Sequence, residues 1–214
     1  MGNSLVSEER DFFMQHILVA MTGASGAIYG LRLVEELLAS KCRVTLLSSR
    51  SGRQVLAHET GLDWQGSVEQ RLDKMRKHFK CGEQLTHYAE DDMFAPPASG
   101  SAAPTAMVVM PCSMGMVGRL ASGTSDNLIE RAADVTLKEG RPLLLVPRET
   151  PLSIIHLENL LRLARAGARI VPAMPAFYQQ PQSMAALVDF VVGKVLDGLN
   201  MKHELYRRWG DEAS

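Results

Sequence analysis

The sequence predicts an α/β protein built on one doubly wound parallel sheet, and three observations carry that prediction. An apolar run of strand length, "HILVAMTG" (16–23), meets a small-residue turn, and a helical pattern, "AIYGLRLVEELLAS" (27–40), begins at once. Strand-like and helical stretches then alternate along the chain, the mark of a parallel sheet covered on both faces. The 214 residues are enough for one full α/β domain and short for two.

Taken in order, "CRVTLLSS" (42–49) reads as the second strand and "RSGRQVLAHETG" (50–61) as a short helix. "SVEQRLDKMRKHF" (67–79) has the composition of a polar surface helix. "HYAEDDMFAPPASGSAAPT" (87–105) is dense in Pro, Ser, Ala and Gly, which predicts an ordered loop or lid. The alternation resumes with a strand at "AMVVMPCS" (106–113), a helix at "SDNLIERAADVTLKEG" (125–140) and a strand at "RPLLLVPR" (141–148). "PLSIIHLENLLRLARAG" (151–167) reads as a helix, with Thr150 as N-cap and Pro151 at the first helical position. A strand at "ARIVPAMP" (168–175) and a helix at "SMAALVDFVVGKVLDGL" (183–199) complete the pattern. No internal repeat or linker divides the chain. Residues 1–14 read as a loose N-terminal arm, 15–200 as one domain and 201–214 as a tail. The lone aromatic of that tail, Trp209, is suited to docking on the site or on a neighbouring subunit.

Composition excludes several classes. Apolar residues make up 46% and charged residues 22%, and the net charge is −1, so no basic field points to nucleic acid. The longest apolar runs are strand-length, far short of the roughly 20 residues that span a bilayer. The arm lacks the apolar core of a secretory signal. Gly2 invites myristoylation, but Val6 stands where that motif wants Ser or Thr. Cys42, Cys81 and Cys112 are odd in number and widely spaced, which fits reduced thiols in a cytosolic compartment. His78, Cys81 and His87 have loosely metal-like spacing, but no fourth ligand completes a pattern, so packing roles and no metal are expected. No Ser–His–Asp order, G-x-S-x-G elbow or H-E-x-x-H is present.

The chemistry is expected at the carboxyl ends of the strands, where open α/β sheets bind ligands. In "TGASGAIYG", Gly23 and Gly26 let the backbone approach a ligand, Ser25 offers a hydroxyl, and the helix start favours an anion. The spacing is neither G-x-G-x-x-G nor a P-loop, and no Lys is present. Ser48, Ser49 and Arg50 end the second strand where an acidic residue would suit NAD; NADP and a mononucleotide both remain open. "MPCSMGMVG" makes a small, polar strand end around Ser113 and Gly115. Arg148 and Glu149 follow "LLLVP" directly; such a pair binds phosphate and manages a proton, or forms a salt bridge at a helix start. Arg131 and Lys138, seven residues apart, share a helix face, but Glu130 and Asp134 interleave as in an ordinary surface helix.

These stretches together resemble the flavin prenyltransferases. "MTGASGAIYGLRL", "PPASGS", "MPCSMG", "DNLIERAADVTLKEGRPLLLVPRETPLSIIHLENLL" and "PAFYQQPQS" carry the resemblance over about residues 16–209, and the long middle block is the most specific. The resemblance implies a Rossmann-like (flavodoxin-like) homo-oligomer, typically a dodecamer, with sites between subunits and no metal. It implies transfer of the dimethylallyl group of dimethylallyl phosphate to N5 and C6 of reduced FMN. The product, prenylated FMN, serves UbiD-type decarboxylases. Carried over by position, Gly23, Ala24, Ser25, Ser49, Ser113, Met114, Gly115, Met116 and Arg148 would contact FMN. Ser99 and Gly100 would line the prenyl pocket. Arg131, Lys138, Glu149 and Tyr178 would cage the prenyl phosphate, with Glu149 as proton donor. Glu59 would lie close to the flavin as a base, a role the released phosphate could also fill. Lys194 stands where many members have Arg, which keeps the charge and loses the bidentate fork. Trp209 matches an aromatic that closes over the site. The alternatives are an FMN-binding carrier, a flavin-dependent reductase and a cysteine-decarboxylase relative. No catalytic His in the first helix supports the last of these.

Overall fold

Among the described residues, six strands, all parallel, are ordered β3-β2-β1-β4-β5-β6: β1 (His16–Met21), β2 (Arg43–Ser48), β3 (Leu85–Thr86), β4 (Ala106–Cys112), β5 (Leu143–Pro147) and β6 (Arg169–Ile170). The computed structural model describes residues 15–208. The expected N-terminal arm and Trp209 lie outside the described residues. The central register sets Ile17 between Val44 and Ala106, and Val109 between Ala20 and Leu145.

Because successive side chains of a strand point to opposite faces, the apolar runs feed two cores. Ile17, Val19 and Met21 pack with Val108 and Val146 under α1 (Ala27–Ala39) and α7 (Met184–Gly198). The same layer takes Leu56 of α2 (Arg50–Thr60) and Met75 of α3 (Val68–Phe79). Leu18, Ala20 and Val109 face the other way, under α4 (Met114–Ala121), α5 (Leu128–Lys138) and α6 (Ile154–Arg165). Truncating a fully buried side chain such as Leu33 to Ala would cost about 2–5 kcal/mol.

Strand order reverses between β1 and β4, and a crevice opens there at the carboxyl edge. Four local expectations are corrected. β3 was not expected: at two residues it is too short for a hydrophobic period to show, and its pairing with Val44 and Thr45 defines it. The "SMGMVGRLAS" stretch, expected as a small polar loop, is the helix α4; burial of Met116, Val117 and Leu120 outweighs the low propensity of Gly115 and Gly118. α6 starts at Ile154, not after Thr150. Ser153 accepts the His156 N–H at 3.2 Å and His156 Nδ1 accepts the Ser153 N–H at 3.3 Å, a reciprocal cap that Thr150 does not supply. β6 stops at Ile170, although Val171 and Ala173 still donate to Leu145 and Pro147.

His78 packs edge-on against Trp64 and Phe79. His87 is buried, its Nδ1 2.6 Å from the Leu46 carbonyl oxygen. Burial, with Arg71 and Arg53 nearby, lowers its pKa to about 4 despite that hydrogen bond. Among the described residues, no helix is long and apolar enough to cross a membrane.

Candidate functional site

Three helix N-termini stand side by side on the carboxyl ends of β2, β1 and β4. Thr22 ties two of these ends together: its hydroxyl donates to the Pro111 carbonyl at 2.9 Å and accepts the Ser113 N–H at 2.8 Å. Ser49 caps α2 by accepting the Gly52 N–H at 3.0 Å, and Ser113 caps α4 by accepting the Met116 N–H at 3.2 Å. α1 is capped from a distance. Its N-cap residue, Gly26, has φ 104° and no side chain, so the Glu59 carboxylate accepts the Gly26 and Ala27 N–H groups at 3.0 and 2.8 Å. Free N–H groups and aligned peptide dipoles at these ends favour an anion. Gly23 has no room for a side chain: a Cβ there would lie 2.6 Å from Ser51 Oγ.

The crevice continues into a cleft of about 590 Å³, lined by Ser25, Tyr29, Glu59, Arg148 and Glu149 among others. Arg148 leaves β5 with its N–H bonded to the Cys112 carbonyl at 3.4 Å. Burial pushes the Glu59 carboxyl up. The Ser25 hydroxyl, the Ala27 and Gly26 N–H groups and the Arg148 charge outweigh it and hold Glu59 below the usual carboxylate range. Glu149 is exposed and accepts the Thr150 N–H at 3.0 Å. Cys112 is no rival nucleophile here, since complete burial pushes its thiol up to about 12.

Gly23, Ala24, Ser25, Ser49, Glu59, Ser113, Met114, Gly115, Met116, Arg148 and Glu149 therefore gather along the carboxyl edge. The rest of the expected cage does not join them. Arg131 Nε donates to the Ala98 carbonyl at 3.1 Å, and its Nη1 pairs with Asp134 at 2.7 Å. Lys138 Nζ pairs with Glu139 at 2.6 Å and lies against Gly100, where a Cβ would come within 3.2 Å of it. Ser99 Oγ is 3.0 Å from Ser101 Oγ in the same segment. These four residues form a patch on α5 and the short turns at 96–102. Glu130, by contrast, is fully buried and bound by Arg119 and Asn127, a structural role. On the opposite face of the sheet, Tyr178 packs edge-on against Phe190 with centroids 6.1 Å apart, and Lys194 Nζ sits 5.4 Å over the same ring.

The Flavoprotein family model matches residues 5–196. The flavin prenyltransferase UbiX of Pseudomonas aeruginosa is 48% identical over 201 residues, covering 92% of this chain and 95% of its own. The chain belongs to the flavin prenyltransferase family. Solved structures agree with this membership. AnUbiX (PadA1), in complex with FMN and dimethylallyl pyrophosphate, superposes with a TM-score of 0.83 at 38% identity, covering 93% of this chain and 99% of its own. The dodecameric FMN-dependent UbiX-like decarboxylase from Escherichia coli O157:H7 gives 0.81 at 38% identity, with coverages of 91% and 99%.

Within this flavin prenyltransferase-family chain, sequence reasoning passed over Thr22 and Tyr29. Thr22 had a legible signal, a polar residue ending an otherwise apolar strand. Tyr29 had none, because a tyrosine in the first turn of an amphipathic helix packs as readily as it lines a cleft.

Proposed function

We propose that the protein is a flavin prenyltransferase that joins the dimethylallyl group of dimethylallyl phosphate to N5 and C6 of reduced FMN. The prenylated FMN is then handed to a UbiD-type decarboxylase. The observation that carries this reading is the cleft itself: Ser25, Glu59, Arg148 and Glu149 converge at the strand-order reversal beside three capped helix ends. The crevice fits a flavin mononucleotide, since the helix ends favour its phosphate and Gly23 lets the backbone come close. Gly23, Ala24, Ser25 and Ser49 would hold the phosphate end, and Ser113, Met114, Gly115, Met116 and Arg148 the flavin.

When bound, reduced FMN supplies the nucleophile for the prenyl group. The protein must stabilise charge as the C–O bond of an unactivated monophosphate breaks. Arg148, Arg131, Lys138 and Lys194 supply fixed positive charge at the departing phosphate. Glu149 holds the proton delivered to it, and the Tyr178 ring face steadies the allylic cation. Glu59 already accepts two backbone N–H groups and is held below the usual carboxylate range, so it is a weak base. It orients Ser25 and α1, which would leave the flavin C6 proton to the released inorganic phosphate, a stronger base than this carboxylate.

One chain cannot assemble this cage. Arg131 and Lys138 belong to α5, in the core layer on one face of the sheet; Tyr178 and Lys194 lie with α7 on the other. α5 runs back from the carboxyl edge, so Lys138 lies about 15 Å along its axis from Leu128, at 1.5 Å per residue. The phosphate site is therefore completed by other copies of the chain, in a homo-oligomer. Exposed Ile154, Ile155, Leu157 and Leu161 on α6, and the fully exposed Phe94, offer apolar surface for those copies. Three free cysteines support a reducing compartment such as the cytoplasm.

The test is anaerobic. Protein, reduced FMN and dimethylallyl phosphate or diphosphate are mixed without metal, and the extracted flavin is weighed by mass spectrometry. A gain of one prenyl unit is expected. Unchanged FMN with either donor would sink the proposal.

A further inference from the structure

Lys194 poses a physical problem. Its ammonium rides on a flexible four-carbon stem, whereas an arginine fork would be pre-organised. An exposed lysine binds a phosphate poorly unless something limits where its head can go. The structure shows such a limit.

Residues 203–208 fold back on α7. The Tyr206 hydroxyl donates to Asp197 Oδ2, His203 Nε2 lies 3.2 Å from Asp197 Oδ1, and Arg208 Nη2 donates to the same oxygen at 2.9 Å. The Tyr206 and His203 rings rest on the bare backbone of Gly193, where a Cβ would come within 2.5 and 2.8 Å of them. The next residue is Lys194, and its Nζ stands 4.7 Å over the Tyr206 ring and 5.4 Å over Phe190. Phe190 in turn touches both Tyr206, with centroids 5.1 Å apart, and Tyr178, at 6.1 Å. Two aromatic faces thus hold one ammonium, and one of those faces also buttresses the second expected phosphate ligand. Contact with the Tyr206 hydroxyl, opposed by burial and helped by Asp197, raises the Lys194 pKa and keeps the ammonium charged.

We infer that Asp197 and Tyr206 are positioning residues for the prenyl transfer. They clamp the 203–208 segment onto Gly193 and so fix the head of Lys194 where the substrate phosphate is bound. This inference rests on the prenyltransferase reading above. Gly193 is part of the device, because only a residue without Cβ lets the Tyr206 ring lie beside Lys194. Tyr206 touches no reacting atom; it acts through Lys194.

The experiment is a double-mutant cycle on the full chain. Tyr206→Phe keeps the ring and removes the hydroxyl that Asp197 holds. It is measured alone and in a Lys194→Ala background, with KM determined separately for dimethylallyl phosphate and for reduced FMN, and with thermal midpoints. Expected is a rise of about tenfold in KM for dimethylallyl phosphate, no change in KM for FMN, and no further effect once Lys194 is gone. An equal rise in both backgrounds would show a general structural role and overturn the inference, as would no rise at all. Asp197→Asn, carried through the same cycle, reads the same coupling if Tyr206→Phe folds poorly. Wild-type protein that makes no prenylated flavin would instead overturn the parent reading and this inference with it. A productive wild type with an unaffected Tyr206→Phe overturns the inference alone.

Discussion

The carboxyl-edge cleft and the α5 patch hold the same kinds of residue in opposite ways. In the cleft, several of the candidate groups are also parts of the scaffold. Ser49 and Ser113 cap helices, Glu59 caps α1 from a neighbouring helix, and Thr22 ties two strands. In the α5 patch, Arg131 and Lys138 are held by ion pairs with their own neighbours Asp134 and Glu139. Exposed pairs of that sort contribute about 0–1 kcal/mol and exchange partners easily. The cleft is organised by the fold of one chain, while the patch is poised for something brought to it. Substitutions should therefore change stability and binding together in the first region and catalysis alone in the second.

The largest expected effect is Lys138→Ala. It should lower the rate of prenylated-flavin formation by about 10²–10³, as for loss of one preorganised charge at a departing oxyanion. The thermal midpoint should stay within about 1 °C, as for a surface change; a fall of many degrees would erase the contrast between the regions. Complementation sharpens it. Lys138→Ala and Glu149→Gln chains, each inactive alone, are refolded together. If each site takes its cleft from one copy and its α5 from another, about a quarter of sites regain both wild-type groups in randomly mixed oligomers. Activity that stays at the level of the separate variants would place both residues in one chain's site.

Glu59→Ala should cost about 1–2 kcal/mol of stability by uncapping α1, read from denaturant midpoints, and should weaken FMN retention as well. The glycine pair gives the smallest effects. Gly23→Ala drives a Cβ into Ser51 at the start of α2 and should reduce FMN affinity measurably. Gly100→Ala meets the movable ends of Lys138 and Glu139, so stability should hardly change.

Acid provides a control outside both regions. The folded His87 pKa is about 4, below its ordinary 6.5, so the unfolded chain binds this proton first. Stability should fall as pH drops from 6.5 toward 4, by on the order of 3 kcal/mol in all, with urea midpoints as the measurement. Glu59 acts later. Its depressed pKa contributes stability that is present above the ordinary carboxylate value and is lost as pH falls through the folded value. Glu59→Gln should flatten only that lower limb.

Local pattern and tertiary context divided the information unevenly. Five of the six described strands and six of the helices were legible because continuous apolar runs and 3.6-residue spacing need no partner to be seen. The short strand β3 and the glycine-bearing α4 were not, because pairing with β2 and burial beneath the sheet define them. The residues of "TGASG", "PCSMG" and "VPRE" could be named from the sequence, since strand ends in a parallel sheet lie on one edge by topology. Their hydrogen bonds could not. That Glu59 closes the end of α1 depends on where α2 stops against it, 33 residues along the chain from Gly26. That Arg131 and Lys138 stand across the sheet from Lys194 depends on which face each crossover helix covers. Sequence by itself determined the class of fold, the edge along which the candidate site gathers and the family. Only the tertiary structure decided which groups meet within one chain, because that follows from the paths of helices between strands and not from the order of residues.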